Sequence, residues 1–498
     1  MSTVPITTGS TISTDTSFVG HPKGLATLFG TEMWERWGYY GMRALLILFM
    51  TASIEQGGLG LGVPRASAIY GLFAAGVYLS ALPGGWIADR VIGQRKAVLF
   101  GGIILIAGYL LLAAKSTSGF YLGLFLIVIG TGLLKPNAST IVGQLYGPDD
   151  PRRDSGYSIF YMGINIGAWL APLFCGWIAR AYGWRQGLAV AGIALMLGVA
   201  QYVMFSKWLG TAGLAPALAP ADAARDRKRL GMALGGGLAI LIALYAANTV
   251  GLLSIEPESL STAAGTLLVL VIVGLFGWMF FAAEWTPVER RRITAIAALF
   301  VAATIFWSVF EQAGSTLSLF ADRSTNNTLF GFEFPASWFQ SVQPAGIVFL
   351  SPLFAWMWLK LGTRDPSSTT KFSLALMAVA ASFLILVPAS LATAGGLKVS
   401  PLWLTTTYVL QAVGELFLGP VGLSVFNKLA PARVAGFMMG VWFLSISLGN
   451  FIGARVASVY EQFPLEQLFG FVGGFALVAG IVLAFLIKPM GRLTGDSE

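Results

Sequence analysis

Cysteine and histidine are nearly missing from this 498-residue chain, each occurring once. Cys175 lies inside an apolar run and His21 in a polar N-terminal stretch. A single cysteine permits no disulfide and no cysteine metal cluster within one chain. A single histidine outside the apolar segments removes most catalytic triads and zinc hydrolase sites. We therefore expect no metal, no cofactor and no enzyme activity; a membrane-embedded hydrolase is the reading these absences weigh against. Charge is also scarce, at 11% of residues, against about 25% in soluble domains. Residues 1–23 are polar and rich in Ser and Thr, without a basic stretch leading into an apolar one, so no cleaved signal peptide is expected.

What is abundant is apolar surface: 56% of residues, with a mean hydropathy of +0.75. Apolar stretches of about 20 residues match a bilayer core of about 30 Å. We read fourteen of them, from about residues 25–53 to about 466–487, which makes this an all-α membrane protein. The net charge of +8 could suggest nucleic acid, but the placement of the bases argues otherwise. Alternate loops fall on opposite sides. Most of the bases, including Arg90, Arg95, Lys96, Arg152, Arg153 and Arg225, share one side, while Arg65, Lys115, Arg180, Arg185, Arg323 and Lys398 lie on the other. The positive-inside rule puts the richer side, and both termini, in the cytoplasm of a cell with this protein in its inner membrane. The bilayer is the expected partner, and no nucleic acid is needed.

The chain reads as a repeat. Gly130 to Pro136 matches Gly414 to Pro420, and Arg153 to Tyr157 matches Arg433 to Phe437 in spacing. Thr31, Trp34 and Gly41 match Thr304, Trp307 and Gly314. Paired six-helix halves with a site at the midplane are a common transporter plan. We assign a cytoplasmic segment 1–24, a six-helix bundle 25–209, a linker 210–229, an inserted helix pair 230–292, a second six-helix bundle 293–488 and a cytoplasmic tail 489–498.

Ionisable residues inside spans are costly and persist when paired or facing a watery cavity. Here they form a balanced set: Glu32, Glu35, Glu311 and Glu415 against Arg36, Arg43, Lys135 and Arg455. Positions 32, 36, 39, 40 and 43 follow one helical face. That face carries an acid, two bases and the phenols Tyr39 and Tyr40, as expected of a helix lining a cavity; a helix-end cluster snorkelling to the interface is the competing reading for Glu32. Lys135 precedes a helix-kinking Pro136. Asn165 suits either substrate contact or a bond between helices. Glu311 and Glu415 are set among apolar residues, where burial and a neighbouring base pull a carboxyl's proton affinity in opposite directions. Among the aromatics, Tyr78, Trp307 and Trp442 lie on the charged faces. Asp89, Arg90 and Arg95 fall in a glycine-bearing loop that we expect to latch the two halves in one state of a cycle, unless it is a plain basic loop.

These residues resemble the major facilitator superfamily, and within it the bacterial proton-coupled oligopeptide transporters. The Asp89-Arg90 loop is similar to the superfamily's loop motif. Glu32-x-x-Glu35-Arg36 with Tyr39-Tyr40-Gly41, and Gly132 to Pro136 followed by Asp154 through Gly167, resemble the peptide family's two signatures. The resemblance covers nearly the whole chain. It implies the major facilitator fold of two six-helix bundles plus two inserted helices. It implies that Glu32, Glu35, Arg36 and Lys135 form a proton-responsive network and that Glu311 exchanges with Arg43. It further implies that Glu415 takes a peptide's amino terminus, that Arg43 and Lys135 attract its carboxylate, and that Asn165 and the tyrosines bind its backbone. Gln343 stands where the family commonly has Asn, and Gly419 where Ser is usual, so the pocket's preference is open.

The resulting expectation is a monomeric symporter importing di- and tripeptides with protons by alternating access. Protonation of Glu311, and of the Glu32/Glu35 network, is expected to weaken salt bridges and let the halves rock inward. A proton-coupled nitrate or other small-anion transporter is the alternative, disfavoured because nitrate needs no partner for Glu415. A drug-efflux antiporter is a further rival.

Overall fold

A computed structural model of the chain describes residues 15–147, 150–215, 220–252, 256–393, 395–431 and 435–494. The outer parts of the two termini and the repeated Arg433 lie outside these residues. The helices that follow are numbered in chain order: α1 Lys23–Thr51, α2 Val63–Ile92, α3 Gln94–Ala113, α4 Thr117–Gln144, α5 Arg153–Tyr182, α6 Trp184–Leu209, α7 Pro220–Thr249, α8 Pro257–Phe281, α9 Pro287–Arg323, α10 Ala336–Leu361, α11 Ser368–Ala392, α12 Leu402–Leu429, α13 Ala435–Ser458 and α14 Leu465–Phe485. A short helix α15, Ile487–Thr494, ends the described chain. Among the described residues, thirteen helices are long and apolar enough to cross a membrane. The other long helix, α1, is kept out of that set by Glu32, Glu35, Arg36 and Arg43.

Local signals set the ends. Thr286 caps α9 in a capping box, accepting from the Glu289 amide at 3.3 Å while the Glu289 carboxylate accepts from the Thr286 amide at 2.9 Å. Pro287 opens the helix, where its missing N–H costs nothing. Ser116 caps α4 through a single bond, its hydroxyl accepting from the Gly119 amide at 3.1 Å.

Packing repeats with an offset of eight labels. In the first half α1 packs on α5 and α6, α3 on α4 and α6, and α2 on α4. In the second, α9 packs on α13 and α14, α11 on α12 and α14, and α10 on α12. These are two six-helix bundles built alike. They meet through α2 against α13 and, as the repeat requires, α10 against α5, with α1 against α9 on the axis. The fold is the all-α major facilitator type, with α7 and α8 as the inserted pair. α8 rests on α2 and α13, and α7 touches the last turn of α2.

One boundary differs from the sequence reading. Residues 220–229, expected in the linker, begin α7 instead. Their alternating charges supply local pairs, Arg225–Asp222 at 2.9 Å among them, so a helix can continue out of the apolar zone.

Glycine lets α3 and α4 approach closely. A Cβ on Gly101 would lie 2.7 Å from the Gly130 oxygen, and one on Gly130 2.8 Å from the Gly101 oxygen; Gly108 and Gly123 repeat this at 2.9 and 2.7 Å. Backbone contact of this kind drives helix association where no hydrophobic effect operates.

Candidate functional site

The charged face of α1 is buried. Glu32, Glu35, Arg36 and Arg43 are 1, 0, 2 and 5% exposed, which rules out snorkelling at a helix end. Glu32 lies about 14 Å and Arg43 about 30 Å along a helix of about 43 Å. Arg36 pairs with both acids of its own helix: its guanidinium bonds Glu35, with the second contact at 2.6 Å, and lies 3.5 Å from Glu32. Glu32 keeps one oxygen without a partner. Arg36 also stands over the Tyr39 ring at 5.0 Å. Lys135 faces this group from α4. Its ammonium stands 5.0 Å over the Tyr78 ring, and among the described residues it has no ion pair within bonding reach. The network expected of Lys135 with Glu32 and Glu35 is therefore not closed by a direct contact here.

Arg43 makes a buried charge contact between the bundles. Its Nη2 donates to Glu311 Oε2 at 2.9 Å and its Nε to the Tyr70 hydroxyl at 2.9 Å, joining α1, α2 and α9. It also stands 5.8 Å over the Tyr40 ring. Glu311 sits at a break. The α-helical part of α9 stops at Phe310, a tight 3-10 turn spans Glu311–Gly314, and a helix resumes at Thr316. A mid-helix turn of this kind is where functional hinges fall. Gly314 leaves the room: a Cβ there would lie 2.8 Å from Arg43 Nε.

Glu415 lies across the gap on α12. One oxygen accepts from the Gln343 amide of α10 and the other from the Tyr161 hydroxyl of α5 at 3.4 Å. Tyr161 is nonetheless 42% exposed, so it borders open space between the bundles. The Asn165 amide donates to the Tyr161 carbonyl of its own helix at 3.0 Å and bridges no second helix. Trp307 and Trp442 pack on each other at 6.3 Å in the second bundle. Trp442, 2% exposed, also lies against Phe426 and Gly422; in this state it is core.

The gap is closed at one end. On the side away from the basic loops, Arg180 of α5 pairs with Glu333 at 2.5 Å and the Trp338 indole donates to the Leu173 carbonyl at 3.0 Å. Toward the basic side, α4 packs within the first bundle and α12 within the second. Among the described residues the contacts of the Asp89–Arg95 loop stay with the first bundle, the linker and α7. Asp89 accepts from Gln94 at 3.0 Å, Arg90 lies 3.9 Å from Asp226 of α7, and Arg95 donates to the Ala212 and Gly210 carbonyls at 2.6 and 2.5 Å. In this state it ties the first bundle to the linker and the start of the insertion.

The sequence reading missed Tyr70 and gave Tyr161 no role. Both had a signal: Tyr70 is eight residues before Tyr78 and Tyr161 four before Asn165, each on the same helical face.

A family model described as "POT family" matches residues 95–472. The chain belongs to the POT family. Among similar POT proteins is "Peptide transporter YePEPT" of Yersinia enterocolitica, 37% identical over 503 residues, with 97% of each chain covered. The "Di-/tripeptide transporter" of Lactococcus lactis subsp. cremoris is 36% identical, covering 97% of this chain and 98% of its own. Among solved structures, "peptide transporter POT in complex with sulfate" superposes with a TM-score of 0.89 at 40% identity, with 96% of each chain covered. A mutant of that transporter in complex with alafosfalin gives 0.87 at 41% identity, again with 96% of each chain covered.

Proposed function

We propose that this POT-family protein imports di- and tripeptides together with protons. The observation that carries the reading is the arrangement of charge across the gap. Arg43 on one bundle and Glu415 on the other present opposite fixed charges, as a zwitterionic peptide requires. Arg43's fork suits a carboxylate through two bonds, and Glu415 suits an ammonium. Gln343 and Tyr161 occupy Glu415 in the meantime, and an arriving amine would replace them. Lys135, Tyr39, Tyr40, Tyr78 and Asn165 border the same space and serve as backbone and carboxylate contacts. Relatives named for di- and tripeptides, and the alafosfalin-bound neighbour, support this substrate class over nitrate.

Coupling runs through Glu311. The Arg43–Glu311 pair forms here together with closure of the end away from the basic loops. By the positive-inside rule that end is extracellular, with both termini cytoplasmic in the inner membrane. Ionised Glu311 therefore seals the outside. Protonated Glu311 releases Arg43, opens the outer end and frees the guanidinium for a peptide carboxylate. This reverses the sign of the sequence-based expectation that protonation rocks the halves inward, because the bridge it breaks spans the outer side. Return of the proton to the cytoplasm re-forms the pair and expels the peptide inward. The coupling ion is the proton, no other cofactor takes part, and each chain, holding both halves, works as a monomer.

The test is acidification of liposomes holding the purified protein and an internal pH dye. Dialanine and trialanine should each drive proton entry. Proton entry driven by nitrate and by no peptide would move the assignment to small anions.

A further inference from the structure

A concave space of about 400 Å³, open toward the surface, lies between the bundles beyond the Arg43–Glu311 seal. Leu45 and Leu48 of α1 line it, the second about 7.5 Å further along the helix than Arg43. Arg180 and Glu333, paired across the bundles, line it as well. The rest of its wall comes from α5 and the start of α6, from the start of α10, from Lys398 and from the loop after α9, which carries a hairpin of β1 Thr328–Leu329 and β2 Phe332–Glu333. The size falls in the range of small-molecule sites.

Two opposite charges, both on exposed residues, line this concavity without a direct ion pair between them. The Lys398 ammonium bonds only the main-chain oxygen of Asp322, at 3.3 Å. Among the described residues the Asp322 carboxylate has no hydrogen bond and no ion pair, although both side chains line the same space. Two further acceptors point the same way. The Ser337 hydroxyl, on a residue 1% exposed, and Asn327 Oδ1 are buried without partners, and both residues line the cavity. Buried polar atoms of this kind are normally satisfied, and each one here asks for a partner. An acid and an amine held apart, with spare acceptors between apolar walls, suit a ligand carrying both charges. A simple anion or cation would leave one of the two unmatched.

We propose that this cavity is a second, outer binding site for a small zwitterionic peptide, with Asp322 taking the ammonium and Lys398 the carboxylate. It rests on the peptide reading of the central site. It holds a peptide on the outer side of the seal while the central site faces the cytoplasm, so that the next substrate is in place when the seal opens.

The test is equilibrium binding of labelled dialanine to the purified full chain, with Glu415→Ala, Asp322→Asn and Lys398→Gln alongside. Wild type should bind a second equivalent. Glu415→Ala should lose the central equivalent and keep the outer one. Asp322→Asn and Lys398→Gln should each weaken the outer equivalent at least about tenfold, the loss of one charge-assisted hydrogen bond. The central equivalent they retain shows that they are folded. A single equivalent, lost in Glu415→Ala and indifferent to the other two substitutions, overturns the outer site and leaves the peptide reading standing. No binding by wild type, with no peptide-driven proton entry, overturns both.

Discussion

At the residue scale the energetics turn on charges that have left water. Breaking a buried ion pair by removing one partner costs about 3–5 kcal/mol, because the survivor stays buried and unpaired. Glu415 differs: its carboxylate rests on two neutral donors, Gln343 and Tyr161. Glu415→Gln should therefore leave the protein folded and raise KM for dialanine by about 10–100-fold, the range of a lost bond to a charged group. KM for N-acetylated dialanine should not change. Competition uptake with both peptides checks this; equal effects on the two would remove Glu415 from amine recognition. The charged face of α1 was legible because a polar residue every three or four positions has one helical explanation. Tyr70 was harder to see: a lone phenol in an apolar run carries no charge to mark it, and its role exists only once Arg43 is placed beside it.

At the element scale, two features decide what the helices can do. The first is the break in α9 after Phe310. Nothing in Phe310-Glu-Gln-Ala-Gly-Ser315 forces it; there is no proline, and Ser315 reaches its non-helical φ of −132° and ψ of −90° through tertiary packing. That is why the sequence predicts one continuous span here. Gly314→Ala should push Tyr70 and with it Arg43 away from Glu311, since the added carbon clashes first with the Tyr70 hydroxyl and also meets Arg43 Nε at 2.8 Å. Expression should hold while proton-driven uptake falls, with exchange of peptide less affected. Side-by-side uptake and counterflow measure it. The second feature is the α3–α4 contact. Gly108→Leu meets backbone, which cannot move aside as a side chain can, so overpacking of at least about 1–3 kcal/mol is expected. A lowered melting temperature in detergent checks it, and an unchanged one would mean the helices separate freely. Spans were legible to within a few residues because hydropathy and caps are local. The start of α7 was not, because a charged run can be loop or helix and only its own pairing decides.

At the scale of the whole molecule, transport needs two states of one pair of bundles. The closed end is held by unequal bonds. Arg180–Glu333 is exposed on both sides, and exposed pairs contribute about 0–1 kcal/mol. Arg43–Glu311 is buried on both sides. Spin-label distances across the ends of α5 and α10 that meet here should show Arg180→Ala shifting the population by no more than about fivefold, and Glu311→Gln shifting it much further. The reverse ranking would place the seal at the rim. The two-bundle plan was legible from repeated motifs, since repeats in sequence impose repeats in packing. Which end is closed was not: a symmetric plan is compatible with either, and the sign of the proton's effect follows from that choice.

The central claim is that Glu311 carries the coupling proton. Its most direct test is uptake of labelled dialanine into liposomes holding Glu311→Gln beside wild type, with and without an inward proton gradient. Wild type should accumulate peptide above equilibrium only with the gradient. Glu311→Gln should equilibrate peptide by exchange and accumulate none. Gradient-driven accumulation by Glu311→Gln equal to wild type would contradict the account and move the coupling to another acid, with Glu32 and its unpartnered oxygen next in line.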